Sequence, residues 1–267
     1  MMRGGFRFLT IAGSLALLNA VPASAQTAPS LGSAQSYAVL GGSTVTNTGP
    51  SVIGGDLGLS PGTAVTGFPP GVLVGGAIHA ADATALAAQS SLTAAYNTVV
   101  GQACTQDLTG QDLGAKVLTP GVYCFSTSAQ LTGSLTLNAQ GNAAAVFIFK
   151  VGSTLTTASG SSVVISNGGS QCNVFWQVGT SATVGSASSF AGNILALTSI
   201  SMTTGANVIG RALARNGAVT LDTNNITPST CAAAVPVPTL PEWAFLMLAI
   251  VLAAGGFVML RRRSTTA

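Results

Sequence analysis

Charge is what this chain has least of. Only 6% of its 267 residues are Asp, Glu, Lys or Arg, aromatic residues make up another 6%, and there is a single histidine. The formal net charge of +3 belongs to the ends. Arg3, Arg7 and Arg261 to Arg263 lie there, leaving Lys116, Lys150, Arg211 and Arg215 against Asp56, Asp82, Asp107, Asp112 and Asp222 in the middle. A nucleic-acid binder needs a basic stripe to neutralise phosphates, and none is present. Hydrolytic chemistry is equally poorly supplied. Paired carboxylates, a Ser-His-Asp order, a phosphate loop and a metal cluster are all missing, so neither an enzyme nor a cofactor is expected.

Cysteine is scarce too, with four in the chain. Their spacing does not match a zinc site, so no metal is expected. In an exported protein four cysteines read as two disulfides with three possible pairings. The pairing preferred is Cys104–Cys124, closing a short loop, with Cys172–Cys231 tying the end of the domain back. Arg211 and Arg215 are candidates to pair with Asp222 from adjacent coils.

Long hydrophobic runs occur only at the two ends. Arg3 and Arg7, the apolar stretch from Phe8 to Val21 and the small residues Ala23-Ser24-Ala25 form a secretory signal over 1–25, with the mature chain starting near Gln26. The last part, 241–267, carries Pro241-Glu242-Trp243, an uncharged run from Ala244 to Leu260 and Arg261-Arg262-Arg263. That run is long enough for a membrane helix, with Trp243 at the interface and the arginines held on the cytoplasmic side. Residues 231–240, rich in Ala and Pro, form a linker. Val237-Pro238-Thr239-Leu240-Pro241-Glu242-Trp243, the span and the basic cluster together resemble the IPTL-CTERM class of sorting tails. That resemblance implies a Gram-negative host, an exosortase-type enzyme that removes the tail, and delivery to the cell surface.

Between the ends, 26–230 reads as one domain. Val, Ile and Leu recur in alternating positions, which a disordered segment lacks. The segment also echoes itself. Thr48-Gly49-Pro50-Ser51-Val52-Ile53-Gly54 resembles Thr204-Gly205-Ala206-Asn207-Val208-Ile209-Gly210, and Ser186, Thr204 and Thr223 begin similar units 18 and 19 residues apart. One coil of a triangular β-solenoid, with three short strands and tight turns, needs about that many residues. Ala77 to Val100 departs from the pattern. It lacks proline, is rich in Ala, and sets Leu86, Leu92, Tyr96 and Val99 near helical spacing, so a helix is expected from Asp82 or Thr84 to Val100, packed along the solenoid.

Several motifs in order resemble the bacterial and fungal ice-binding domain family (DUF3494). They are Tyr37-Ala38-Val39-Leu40-Gly41-Gly42, Thr46-Asn47-Thr48-Gly49, Gly54-Gly55-Asp56-Leu57-Gly58, Gly121-Val122-Tyr123, Phe147-Ile148-Phe149 and Gly210-Arg211-Ala212-Leu213-Ala214. The resemblance implies an all-β-dominated fold, a discontinuous right-handed parallel β-helix with one long α-helix alongside, in which the first coil packs beside late ones. It also implies binding of an ice surface through a flat Thr/Ser/Asn face, often built on Thr-Ala/Gly-any-Thr/Asn, and a monomer is expected. Thr204-Gly205-Ala206-Asn207 matches that motif fully. Thr48 to Ser51, Thr157 to Gly160, Ser186 to Ser189 and Thr223 to Asn225 match in part. The candidate ice residues are Thr48, Ser51, Thr156, Thr157, Ser186, Ser189, Ser201, Thr203, Thr204, Asn207, Thr223 and Asn225. The imperfect repeats lead us to expect moderate activity. The competing expectation is an adhesive or matrix protein of the cell surface without ice binding, since Thr and Asn ladders also stabilise solenoids on their own.

Overall fold

The computed structural model describes residues 26–229. The signal over 1–25, the linker over 231–240, the tail over 241–267 and Cys231 lie outside the described residues.

All strand pairs are parallel, and each coil presents three short strands in turn. We name the three walls face A, face B and face C in the order the chain visits them. Val174–Val178 lies on face A, Ala182–Val184 on face B, and Ser189–Ala196 starts on face C before bending into face A of the next coil. Asn193 then meets Arg211 eighteen residues later, the repeat read from the sequence.

The stack is not sequential. Tyr37–Gly41, Thr44–Thr48 and Val52–Ile53 pair with the coil that follows them along the chain on one side only. They add to Asn207–Ala214, Val219–Asp222 and Asn225–Thr227. Asp56–Leu59, Ala64–Thr66 and Val72–Leu73 make the terminal coil beyond them. The chain must then return to the other end of the stack, and helix α1 (Ala83–Val100) carries it back along face A. Eighteen helical residues rise about 27 Å. Asp82 starts the helix by accepting a hydrogen bond from Ala85 N at 2.7 Å, which satisfies one of the orphan N–H groups of the first turn.

Alternation along each strand sends one set of side chains inward. Inside, Tyr123, Phe149 and Trp176 stack on successive coils, with ring centroids 5.5 and 3.8 Å apart, and Phe190 closes on Trp176 at 4.9 Å. The outward side chains of face A form a second apolar layer, in which Leu40, Ile148, Phe175, Leu195 and Leu213 bury against Ala88, Leu92, Ala95, Tyr96 and Val99 of α1. Leu86 faces solvent, because Ala85, Ala88 and Leu92 set the buried side of the helix. Gln89 crosses that seam and donates to the carbonyls of Gly41 and Ala214, at 2.7 and 3.1 Å.

The two arginines do not pair with Asp222. Arg215 lies over the Tyr96 ring and donates to Thr93 Oγ1. Arg211 is buried under the N-terminal turn Gly32–Ser36, where it donates twice to Gln35 O (3.0 and 2.7 Å) and once to Asn193 Oδ1 (2.9 Å). Burial pushes its pKa down to about 10. Arg211→Met is expected to cost about 1–3 kcal/mol of stability, because those acceptors lose their donors away from water. A urea midpoint unchanged from wild type would contradict this role.

A disulfide joins Cys104 to Cys124 and so fastens the segment after α1 to the strand Gly121–Phe125. Cys172 is also disulfide-bonded.

Candidate functional site

Face B is built from Ala129–Leu131, Leu155–Thr157, Ala182–Val184, Ile200–Met202, Val219–Asp222, Thr44–Thr48 and Ala64–Thr66, paired in that order. Its registers place Gln130, Thr156, Thr183, Ser201, Thr220, Thr46 and Thr66 in one outward column. Parallel strands repeat at about 4.8 Å, so the column is a ruled line of hydroxyls and methyls. Thr46 Oγ1 and Thr220 Oγ1 are 3.5 Å apart. A second column, two residues earlier on each strand, includes Thr154, Ser181, Ser199 and Thr44. A third, two residues later, includes Thr203, Asp222 and Thr48.

The sequence-level candidates separate into three groups on this frame. Thr156 and Ser201 belong to the central column, and Thr203 and Thr48 to the third. Ser186, Thr204 and Thr223 stand at the corner where face B turns into face C. Ser189, Asn207 and Asn225 lie past that corner and pair with one another on face C.

Ser51 and Thr157 are corrections. Both are buried: Ser51 Oγ accepts from Asn224 N, and Thr157 Oγ1 accepts from Gly185 N. The tight corner leaves backbone N–H groups without a strand partner, and these hydroxyls turn inward to serve them. The corner also needs a left-handed residue. Gly205 takes it at φ +71°, and Thr223 takes it at +56° despite its branched side chain.

The sequence reading missed Thr46, Thr66, Thr183 and Thr220. For Thr183 and Thr220 the signal was available as triplets in which an apolar residue precedes and follows a hydroxyl, Ala182-Thr183-Val184 and Val219-Thr220-Leu221. The corner motif drew attention away from them.

Asp222 is the carboxylate within the paired strands of this face, and Asp112 bridges Gln130 at its end. The two Asp222 oxygens accept from the hydroxyls of Thr204 and Thr223. The other carboxylates are held in turns. Asp107 accepts from Thr109 through both N–H and hydroxyl, and Asp56 accepts from Ala77 N. Asp112 accepts from Gly114 N, Thr132 N and Thr132 Oγ1 beside a recess of about 300 Å³ lined by Gln111, Ser128 and Gln130. His79 Nδ1 lies 2.8 Å from Asp82 Oδ2. Among the described residues no three His, Cys, Asp or Glu side chains gather to hold a metal ion.

These turn bonds give a pH dependence. The Ala85 N–H and the His79 contact hold Asp82 below the ordinary carboxylate value, and the Thr109 hydroxyl and N–H do the same for Asp107. At Asp112 partial burial pulls upward but is outweighed by the Gly114 and Thr132 hydrogen bonds. All three therefore bind protons more readily unfolded than folded. Stability is expected to be fully present above about pH 5 and to fall as the pH drops below about 4. Thermal melts from pH 7 to 2 check this; melting points that rise on acidification would contradict it.

The family model described as Ice-binding-like matches residues 39–227, and an IPTL-CTERM motif matches 235–263. An ice-binding protein of Nostoc sp. (strain HG1) is 58% identical over 197 residues, covering 73% of this chain and 72% of that relative. The crystal structure of an ice-binding protein from an Antarctic biological consortium superposes with a TM-score of 0.74 at 44% identity, covering 76% of this chain and 92% of the other. The ice-binding protein of the Antarctic ascomycete Antarctomyces psychrotrophicus gives a TM-score of 0.74 at 39% identity, with 77% and 100% covered.

Proposed function

The chain belongs to the ice-binding-like family, and from that premise we propose that it binds ice through face B. The observation that carries the assignment is the outward Thr/Ser column of face B, ruled at the strand spacing and flanked by two further columns of small side chains. Methyl groups disfavour disordered water, while the hydroxyls anchor a layer of water at fixed intervals. Long charged side chains hold their own hydration and move, and face B carries none. Thr48, Ser186, Thr203, Thr204 and Thr223 extend the site to its corner.

The columns are interrupted by Gln130, by Ala158 and Gly185, and by Asp222, so moderate activity is expected. The test is inhibition of ice recrystallisation by the oxidised protein at micromolar concentration, against a heat-denatured control. A folded protein without effect on ice growth would turn the assignment towards the adhesive reading, with polysaccharide binding tested next. Strong hyperactivity in a thermal-hysteresis assay would contradict the moderate level.

The IPTL-CTERM motif marks the chain for export to the cell surface. Residues 1–25 then act as the signal, and 231–240 link the domain to a tail over 241–267. Ala244 to Leu260 spans the membrane with the arginines on the cytoplasmic side until an exosortase-type enzyme removes it. A Gram-negative host follows from the same reading. No helix among the described residues is long and apolar enough to cross a membrane, so anchoring rests on the tail. Mass spectrometry of the protein released from its host tests both cleavages.

A further inference from the structure

Exposed large apolar side chains are concentrated on one wall. Val72, Val74, Val117, Val164 and Ile209 all lie on face C, while the core of each coil is filled by other residues. The outward positions of face C form two columns. The one beside face B is polar over much of its length, with Ser162, Ser189, Asn207 and Asn225 in register. The other lies farther from face B, against the edge where face C bends into face A. Val117, Val164, Ile209 and Val74 stand there, 64, 46, 48 and 58% exposed. Val117 and Val164 both pair with Thr136, and Ile209 pairs with Thr227. Eight strands at about 4.8 Å make this edge roughly 35 Å long. None of these edge side chains is charged.

The chain leaves the described fold at this same edge. Thr227 is its outward residue in the strand Asn225–Thr227, and Pro228 and Ser229 follow directly. Residues 230–243, between Ser229 and the apolar run, can reach at most roughly 50 Å even when fully extended, so a membrane-held tail tethers this exit point within that distance of its bilayer. In a triangular solenoid the edge between faces C and A lies opposite face B.

We propose that the C–A edge rests on the lipid bilayer that holds the tail, with Val117, Val164, Ile209 and Val74 in the headgroup region and face B turned to the medium. An uncharged strip of Val, Ile and Thr side chains beside the exit point suits the interface, where binding scales with buried apolar area. It leaves the Thr/Ser columns free of the surface. The proposal rests on the anchoring reading and is independent of which ligand face B takes.

The test places the full chain in vesicles of phosphatidylethanolamine and phosphatidylglycerol. Ile209→Cys, Val164→Cys and Thr183→Cys variants are each labelled, without reduction, with an environment-sensitive fluorophore. Labels at 209 and 164 are expected to emit at shorter wavelength and to be quenched several-fold more strongly by a lipid-borne quencher than the label at 183. Equal quenching at all three positions in protein that sediments with the vesicles overturns the edge assignment alone. Cross-linking of two copies through position 209, with no lipid quenching there, assigns the edge to a second copy and also overturns it. Protein that fails to sediment removes the anchoring reading and the proposal with it. Recrystallisation assays on the same samples report on face B separately.

Discussion

The double substitution Thr183→Lys with Thr220→Lys is expected to abolish ice-recrystallisation inhibition, lowering potency by at least about tenfold, a loss of about 1.4 kcal/mol or more in binding. Both threonines lie in the central column of face B, on either side of Ser201. A lysine there removes a methyl and a fixed hydroxyl and adds a mobile, strongly hydrated ammonium. Neither hydroxyl supports the backbone among the hydrogen bonds of the fold, so stability should change by no more than about 0.5 kcal/mol, as for other surface positions. Ser189→Lys, on face C, should leave inhibition largely intact. Thr204→Lys is a less clean test, because it also takes a donor away from the Asp222 carboxylate. Full inhibition by the folded double variant would show that face B is not the ice surface.

Trp176→Ala is expected to be the most destabilising single change, costing about 3–5 kcal/mol. Against a total stability of about 5–15 kcal/mol, that is a large share. Trp176 is fully buried, lies 3.8 Å from the Phe149 ring centroid and 4.9 Å from that of Phe190, and donates Nε1–H to Ala191 O at 3.0 Å. A coil of a solenoid touches only its neighbours, so no distant packing can collapse to refill the space. Urea denaturation followed by tryptophan-independent circular dichroism gives the value, and a loss below about 1 kcal/mol would contradict the stacked-core account.

Much of the architecture is legible in the sequence. Ser186, Thr204 and Thr223 repeat at the length of one coil, and that interval reflects three short strands and three corners. The alternation in segments such as Val219-Thr220-Leu221 told inside from outside. Helix α1 was readable because its alanines and the absence of proline have no place in a solenoid strand, and Asp82 could cap it. The site was legible only in part. The Thr-Gly-Ala-Asn echo is real, but it marks a corner, where a left-handed turn requires Gly205 and where Ser51 and Thr157 serve the backbone instead of the surface.

By itself the sequence determined the repeat length, the strand alternation, the helix and the near absence of charge, because each is local and written in neighbouring residues. Only the tertiary structure decided that Thr46 lies beside Thr220, that Arg211 holds Gln35, and that face B collects the hydroxyls while the edge of face C collects valines and Ile209. Alternation says that a side chain points outward. It does not say through which of three walls, and pairing between the first coil and the late ones depends on hydrogen bonds across more than half the chain.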